Sequence, residues 1–239
     1  MRKVNIRGKE FQVTENQNLF WDQVEAGLWE PETFEVLEQF CKEGKTFVDI
    51  GAWNRVCSIY ANALGCDNVS FEPDNMIFPE LDFNLRNNNC KEPHSIAISD
   101  FNGMTNINSI GSFGDSMSSL LNRSDKEQVR SVTCITIDRI FESVYINETC
   151  LIKMDIEGGE VLVLKQAKEF LSTYKPTIYI SLHPAWFPNP KEDLQMIIDV
   201  IFPIYKVCRM IDGVVTQYSR DRFVEAVERG EHSYILIAK

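Results

Sequence analysis

Short runs rich in apolar residues alternate along this chain with longer segments of helical period. "FVDIGA" (Phe47–Ala52), "NVSFEPD" (Asn68–Asp74), "HSIAISD" (His94–Asp100), "VRSVTCITI" (Val129–Ile137), "CLIKMDIEG" (Cys150–Gly158) and "TIYISLHP" (Thr177–Pro184) are too short for helices. Their bounding Gly, Pro, Asn and Asp residues predict strands. Between them, Asn54–Gly65, Met76–Asn89, Gly159–Tyr174 and Glu192–Tyr205 space their apolar positions as helices do. "KVNIRGKEFQV" (Lys3–Val13) alternates about Gly8 as a hairpin. Asn18–Lys45 is helical with a break at Gly27, so that Pro31 begins a second helix. "KVCRMI" (Lys206–Ile211) and "SYILIAK" (Ser233–Lys239) close the chain as strands.

Strands that alternate with helices predict right-handed βαβ units and a mostly parallel sheet with helices on both faces. The closely spaced terminal strands predict an antiparallel edge. A single Rossmann-like domain of 239 residues is expected, with 1–44 as an N-terminal hairpin and helices leading into a core over 45–239. One segment departs from this rhythm. Phe101–Gln128 is rich in Gly, Ser and Asn and too long for an idle connection, which marks it as a functional loop.

In such a sheet ligands bind beyond the carboxyl ends of the strands. Gly51 allows a tight turn after the first strand, and Asp49 sets a carboxylate beside it. A dinucleotide loop would want G-x-G-x-x-G for its pyrophosphate, whereas "GAWNRV" has one glycine. The turn therefore suits a ligand with an amino-bearing end. One βα unit later, Glu72 of "FEPD" closes the second strand, where an acid accepts ribose hydroxyls, and Pro73 stiffens the turn. "IKMDIEGGEVLVLKQA" carries Asp155 and Glu157 to the same sheet edge, with Glu160 favouring the following helix N-terminus. His183 ends a later strand at that edge, opposite the acids, as a candidate general base.

Composition narrows the partners. Lys and Arg number 24 against 35 Asp and Glu, a net charge of -11, which disfavours a nucleic acid. Seven scattered cysteines without C-x-x-C predict reduced, mostly buried thiols in the cytoplasm. No apolar run is long enough to span a membrane, and "MRKVNIRGKEFQV" lacks the apolar core of a secretory signal.

Together "FVDIGA", "FEPD", "AISD", "TIDRI", "IKMDIEGGEVLVLKQA" and "SLHP" resemble the FkbM family of S-adenosylmethionine-dependent O-methyltransferases, from about Trp29 to the C-terminus. The resemblance implies a class I methyltransferase fold with a mostly parallel seven-stranded sheet. It assigns Asp49, Gly51 and Ala52 to the methionine part of the cofactor, flanked by Trp53. Glu72 with Pro73 takes the ribose, and Ser99 and Asp100 lie near the adenine. Asp155, Glu157 and His183 would face the methyl group and the acceptor, with Asp155 also near the cofactor.

Family members commonly methylate hydroxyls of sugars and of natural products, so a sugar or glycan acceptor is expected. Trp29, Glu30, Ser116, Met117 and Trp186 are the candidate acceptor contacts, with Trp21 a further flat face for stacking. Ser112, Phe113, Ser116 and Met117 belong to a lid over the site. Two positions depart from the family turn D-x-G-A-N-x-G: Trp53 stands for its Asn and Arg55 for its second Gly. Ser181 stands where the strand before His183 often carries Glu.

Transfer to an alcohol requires removal of its proton, by His183 or Asp155 as base with Glu157 orienting the acceptor. The competing version holds Mg2+ or Mn2+ on Asp155 and Glu157. Rival functions are a nicotinamide-dependent oxidoreductase, which the missing glycines oppose, and a binding module that has lost transfer. A nucleic-acid methyltransferase is a fourth, opposed by charge and by the lack of a D/N-P-P-Y segment. Arg55, opening a helix, is expected to reach solvent or the cofactor carboxylate at a backbone geometry open to any residue.

Overall fold

A computed structural model describes residues 1–109, 112–122, 128–142 and 149–239. The chain opens with a hairpin, β1 (Arg2–Ile6) and β2 (Lys9–Val13), paired antiparallel. Helices α1 (Asn18–Glu25) and α2 (Pro31–Phe40) follow, and Pro31 begins α2 as its position after Gly27 predicts.

The central sheet has seven strands. Its parallel part runs β4 (Asp67–Phe71), β3 (Thr46–Ile50), β8 (Thr149–Met154) and β9 (Ile178–Ser181). The antiparallel part then runs β12 (Ser233–Ala238), β10 (Tyr205–Ile211) and β11 (Val214–Tyr218). The antiparallel edge is thus three strands wide among the described residues, because β11 lies beyond the predicted elements and pairs with β10.

Helix α3 (Val56–Ala63) links β3 to β4, and α4 (Phe78–Asn87) follows β4. The predicted helix Gly159–Tyr174 is two, α6 (Glu160–Gln166) and α7 (Lys168–Tyr174), joined at Ala167; α5 (Ile137–Ile140) precedes them. Helices α8 (Pro190–Ile201) and α9 (Arg220–Glu228) complete the α-helices among the described residues.

Residue alternation on the strands divides the core in two. Val48, Ile50, Ile152, Met154, Ile178 and Ile180 pack on one face against α6 and α8 residues such as Val163 and Ile197. Phe47, Leu151, Tyr179 and Ile235 pack on the other against Phe34, Leu37, Ile59 and Tyr60. Asp49 and Lys153 share the second face by the same alternation.

Two expectations are corrected here. The strand containing "AIS" does not extend the central sheet: β5 (Ala97–Ser99) pairs parallel with β7 (Gln128–Thr136) in a separate sheet, touching the first at a Phe71–His94 bridge. The segment Phe101–Gln128 is not all loop, since β6 (Gly103–Ser109) pairs antiparallel with β7. Its polar sequence hides the strand, and cross-strand pairing rather than propensity holds it. Within that expected lid, 110–111 and 123–127 lie outside the described residues. So does 143–148.

Candidate active site

The carboxyl ends of β3, β4, β8 and β9 open onto two adjoining cavities of about 50 and 390 Å³ that share Gly51, Trp53, Ser116, Asp155 and Glu157. The smaller is walled by apolar side chains including Phe71, Ile96, Ile98 and Ile156, with Glu72 and Pro73 at its side. The larger is polar and contains Asp49, Lys153, Glu30 and His183.

The turn after β3 is fixed by its neighbours. Gly51 has φ 77°, and a Cβ there would lie 1.9 Å from the Asp155 carbonyl oxygen, so only glycine allows β3 and β8 to end this close. Gly51 and Ala52 both donate backbone N–H to the Phe71 carbonyl, at 3.0 and 3.1 Å. Trp53, at φ 42°, donates its backbone N–H to Glu72 Oε2 at 2.9 Å. Its indole Nε1 donates to the Gly114 carbonyl at 3.2 Å. Trp53, Phe20 and Trp29 make an aromatic wall of the larger cavity, with ring centroids 4.9 and 5.2 Å from Phe20.

Arg55 is where the sequence reading fails. It has φ 73° and no solvent exposure, and none of its guanidinium nitrogens has a hydrogen-bond partner. Burial lowers its pKa to about 10 against the pull of Asp49 and Glu72. It lines neither cavity. The side chain therefore neither swings to solvent nor reaches the ligand space, and the backbone geometry is one that L side chains rarely adopt.

Asp49, fully buried, lines the larger cavity; its Oδ2 accepts from Ser58 Oγ at 2.6 Å, while Oδ1 has no hydrogen-bond partner. Glu72 accepts Trp53 N–H and, at 2.8 Å, Asp74 N–H; burial pushes its carboxyl up to about 7 against those two bonds. Asp74 anchors the segment over the cavities, its Oδ2 accepting from Gly114 N–H at 2.6 Å and Ser118 Oγ at 3.1 Å.

Asp155 and Glu157 follow β8 rather than extending it: Glu157 is at φ 53°, and the chain turns back at Gly158. This turn, with His183 after β9, brings ligating atoms of Asp155, Glu157 and His183 within 4.8 Å of one another. His183 Nε2 stands 3.7 Å from Asp155 and 3.9 Å from Glu157, and Nδ1 stands 3.3 Å from Glu160 Oε1. Burial opposes charge on the imidazole, but Glu160, Asp155 and Glu157 prevail and raise His183 to about 9.

Lys153 Nζ donates to Asp155 Oδ2 at 3.3 Å. Burial disfavours the Lys153 ammonium, yet the surrounding acids, Asp155 foremost, hold its pKa above the ordinary lysine value. Asp155 falls below the usual aspartate range: burial raises it, and Lys153 and His183 more than offset that. Glu30, capping α2, is pushed up by burial and by Asp155.

Of the expected contacts, Asp49, Gly51, Ala52, Trp53, Glu72, Pro73, Asp155, Glu157, His183, Trp29, Glu30 and Ser116 line the cavities. Ser99, Asp100, Met117 and Trp186 do not. Ile96 to Ile98 form the wall where Ser99 and Asp100 are expected, and Ser99 instead donates to Asp100 at 3.1 Å. Trp186 packs where a Gly158 Cβ would be. Trp21 is fully buried core and offers no stacking face. Lys153, Asp74 and His232 are not among the expected site residues, and Glu160 is expected only at a helix N-terminus. Lys153 and Asp74 stand inside the motifs "IKMD" and "FEPD", which is the only sequence signal they give.

The chain matches the model of the methyltransferase FkbM domain over residues 45–209. No curated protein sequence is a significant match. Among solved structures it is similar to methyltransferase FkbM from Methylobacillus flagellatus, at 15% identity and TM-score 0.48. That likeness covers 90% of this chain and 60% of the other. The TehB-like SAM-dependent methyltransferase of Corynebacterium glutamicum matches at 10% identity and TM-score 0.47, covering 94% and 97%. The Pyrococcus abyssi tRNA (uracil-54, C5)-methyltransferase, in complex with S-adenosyl-L-homocysteine, matches at 12% and 0.47, covering 99% and 43%.

Proposed function

Because the chain belongs to the FkbM methyltransferase family, whose members depend on S-adenosylmethionine, we propose that it methylates a hydroxyl of a sugar or glycan. The observation that carries this reading is the convergence of Asp155 and Glu157, which line both cavities, with His183, which lines the larger.

The residues present fit the cofactor. Asp49 Oδ1 is a buried acceptor without a partner, suited to an amino group. Each Glu72 oxygen has one backbone donor and keeps capacity for a ribose hydroxyl. The apolar walls of the smaller cavity suit a flat base. When bound, the cofactor supplies a methyl group activated by a positive sulfur, open to in-line displacement.

The chain's own residues then orient the acceptor and take its proton. With a pKa of about 9, His183 is neutral in roughly one molecule in a hundred at pH 7. A cationic ligand beside Asp155 and Glu157 would offset their pull and release the imidazole as base. Glu160 fixes its Nδ1, which turns Nε2 toward Asp155 and Glu157. Phe20, Trp29 and Trp53 give the larger cavity the aromatic face that a sugar ring stacks on.

Asp155 and Glu157 also supply hard oxygen donors for Mg2+ or Mn2+. Release of S-adenosylhomocysteine against a panel of sugars, with and without EDTA, tests both parts. Activity on no sugar but on a small phenolic or other natural-product hydroxyl would replace the acceptor class. Full activity in EDTA would remove the metal. Absence of S-adenosylmethionine binding in calorimetry would overturn the reading.

A further inference from the structure

At the end of the sheet opposite the cavities, Cys41, Cys66 and Cys150 converge. Cys41 follows α2, Cys66 immediately precedes β4, and Cys150 is the second residue of β8. The three sulfurs all lie within 4.8 Å of one another. Cys66 and Cys150 Sγ are 3.7 Å apart although 84 residues separate them in sequence. All three are free thiols, two of them buried.

We propose that these three thiols form a binding site for a thiophilic d10 cation, with Zn2+ as the reference ion. Zinc–thiolate bonds of about 2.3 Å opening at the tetrahedral angle place two sulfurs roughly 3.7 to 3.8 Å apart. The Cys66–Cys150 separation matches that edge without rearrangement.

Without metal the thiol protons have acceptors: Cys66 donates to the Lys42 carbonyl at 3.2 Å and Cys150 to the Thr46 carbonyl at 3.3 Å. Metal binding forms three S–metal bonds and releases three protons to solvent, with no change of oxidation state. A divalent ion with three thiolates carries one net negative charge. The loop that leads from Cys41 to β3 carries Lys42, Glu43 and Lys45. The fourth position is open to water or to one of the two carbonyls. Carboxylate and imidazole donors of the Asp155–Glu157–His183 group form a harder set at the other end of the sheet, so the two sites prefer different ions.

The consequence is a staple. One ion would tie the end of α2 to the starts of β4 and β8, joining segments brought together only by the fold. The test is to titrate metal-free protein with Co2+ and record the thiolate-to-cobalt charge-transfer band, which carboxylates and imidazole cannot produce. The expected result is one equivalent with that band, displaced by Zn2+, lost in Cys66→Ser and Cys150→Ser, and kept in Asp155→Asn.

Because a serine variant can fail to fold, alkylation of the natural chain supplies a second measurement. Zn2+ should protect three thiols from iodoacetamide, and a chelator should return them. No charge-transfer band in the natural chain, a band retained in Cys150→Ser, or three thiols equally reactive with and without Zn2+ would each overturn the proposal.

Discussion

Asp49 and Lys153 are register partners on the neighbouring parallel strands β3 and β8, with Ser70 beyond Asp49 on β4 and Tyr179 beyond Lys153 on β9. A polar row therefore crosses four strands inside an otherwise apolar sheet. It leads outward, since Tyr179 shares a 2.9 Å hydrogen bond with Thr33 Oγ1, which is itself 2.9 Å from Glu30 Oε2 in the larger cavity. Lys153, only 5% exposed, is the one cation in this row, and it faces Asp155 and Asp49 together.

Lys153→Met tests what that cation does. Removing one member of a buried charge pair strands its partners, a loss of roughly 3–5 kcal/mol. Asp155 sits below its ordinary range largely through Lys153, so its carboxyl should rise toward neutrality in the variant. The lowered native value means that Asp155 adds stability above the unfolded aspartate pKa, lost only as pH falls through the native one. Lys153 is raised, so its contribution persists until strongly basic pH. Asp155 and Lys153 should therefore contribute a constant stability to the natural chain through neutral pH, as read by urea denaturation. Lys153→Met should be destabilised at pH 7 and partly recovered at acid pH. An equal deficit at both would refute the charge argument.

Glu72 predicts a pH dependence of cofactor binding. Its carboxyl is pushed up to about 7, and ribose hydroxyls donate better to the ionised form. Affinity for S-adenosylmethionine should rise as pH passes upward through about 7 and then level. Glu72→Gln should bind more weakly and lose the step. Calorimetry at several pH values reads this directly, and an identical step in Glu72→Gln would assign it to another group.

Gly51→Ala should be among the most damaging single substitutions in the chain. The added methyl meets the Asp155 carbonyl at 1.9 Å, a backbone atom that cannot step aside, and φ 77° adds strain for alanine. A loss of roughly 3 kcal/mol or more is expected from overpacking and backbone strain together. Thermal unfolding checks it; a shift of less than a degree or two would mean that the ends of β3 and β8 separate easily.

What the sequence could disclose follows from which signals are local. Apolar runs, turn residues and the Asp155–Glu157 motif are written in consecutive residues, and the strands β3, β4, β8 and β9 with their carboxyl-end acids come through. The β6 strand does not, because "GMTNINS" has little strand propensity and is held by its pairing with β7. Lys153 looks like an ordinary charged residue at a strand end until β3 and β9 bury it. Glu160 fills its helix-opening place, yet its contact with His183 depends on a turn 23 residues later. The thiol cluster is tertiary throughout.

Arg55 sharpens that point into a prediction. A family position that usually carries glycine here holds arginine in the left-handed region, fully buried and with no hydrogen bond to its guanidinium. Arg55→Gly relieves the backbone strain but empties a large volume and removes positive charge from beside Asp49 and Glu72. Net destabilisation of about 1–3 kcal/mol is expected, since the cavity outweighs the strain relief. Cofactor affinity should not tighten, because the side chain lies outside both cavities and its charge helps to keep Glu72 ionised. A tenfold tightening would show that Arg55 obstructs the site after all.

The contact between His183 and Glu160 governs the last prediction, the pH profile of the reaction. Glu160 has no solvent exposure, accepts Ile156 N–H at 2.9 Å and faces His183 Nδ1, so it holds the ring in place and favours its charged form. A histidine raised to about 9 in the native state contributes stability that is complete below its unfolded pKa and fades as pH climbs through about 9. The free enzyme's kcat/KM should correspondingly rise with pH up to about 9, as the neutral imidazole becomes available.

Glu160→Gln keeps the volume and a hydrogen-bonding partner for His183 but removes the charge. The ascending limb should move to lower pH, so activity near neutrality should rise, whereas Glu160→Ala, which also frees the ring, should lose activity. His183→Asn should lose the limb altogether. If Glu160→Gln leaves the limb where it is, the titration belongs to another group and His183 is not the base.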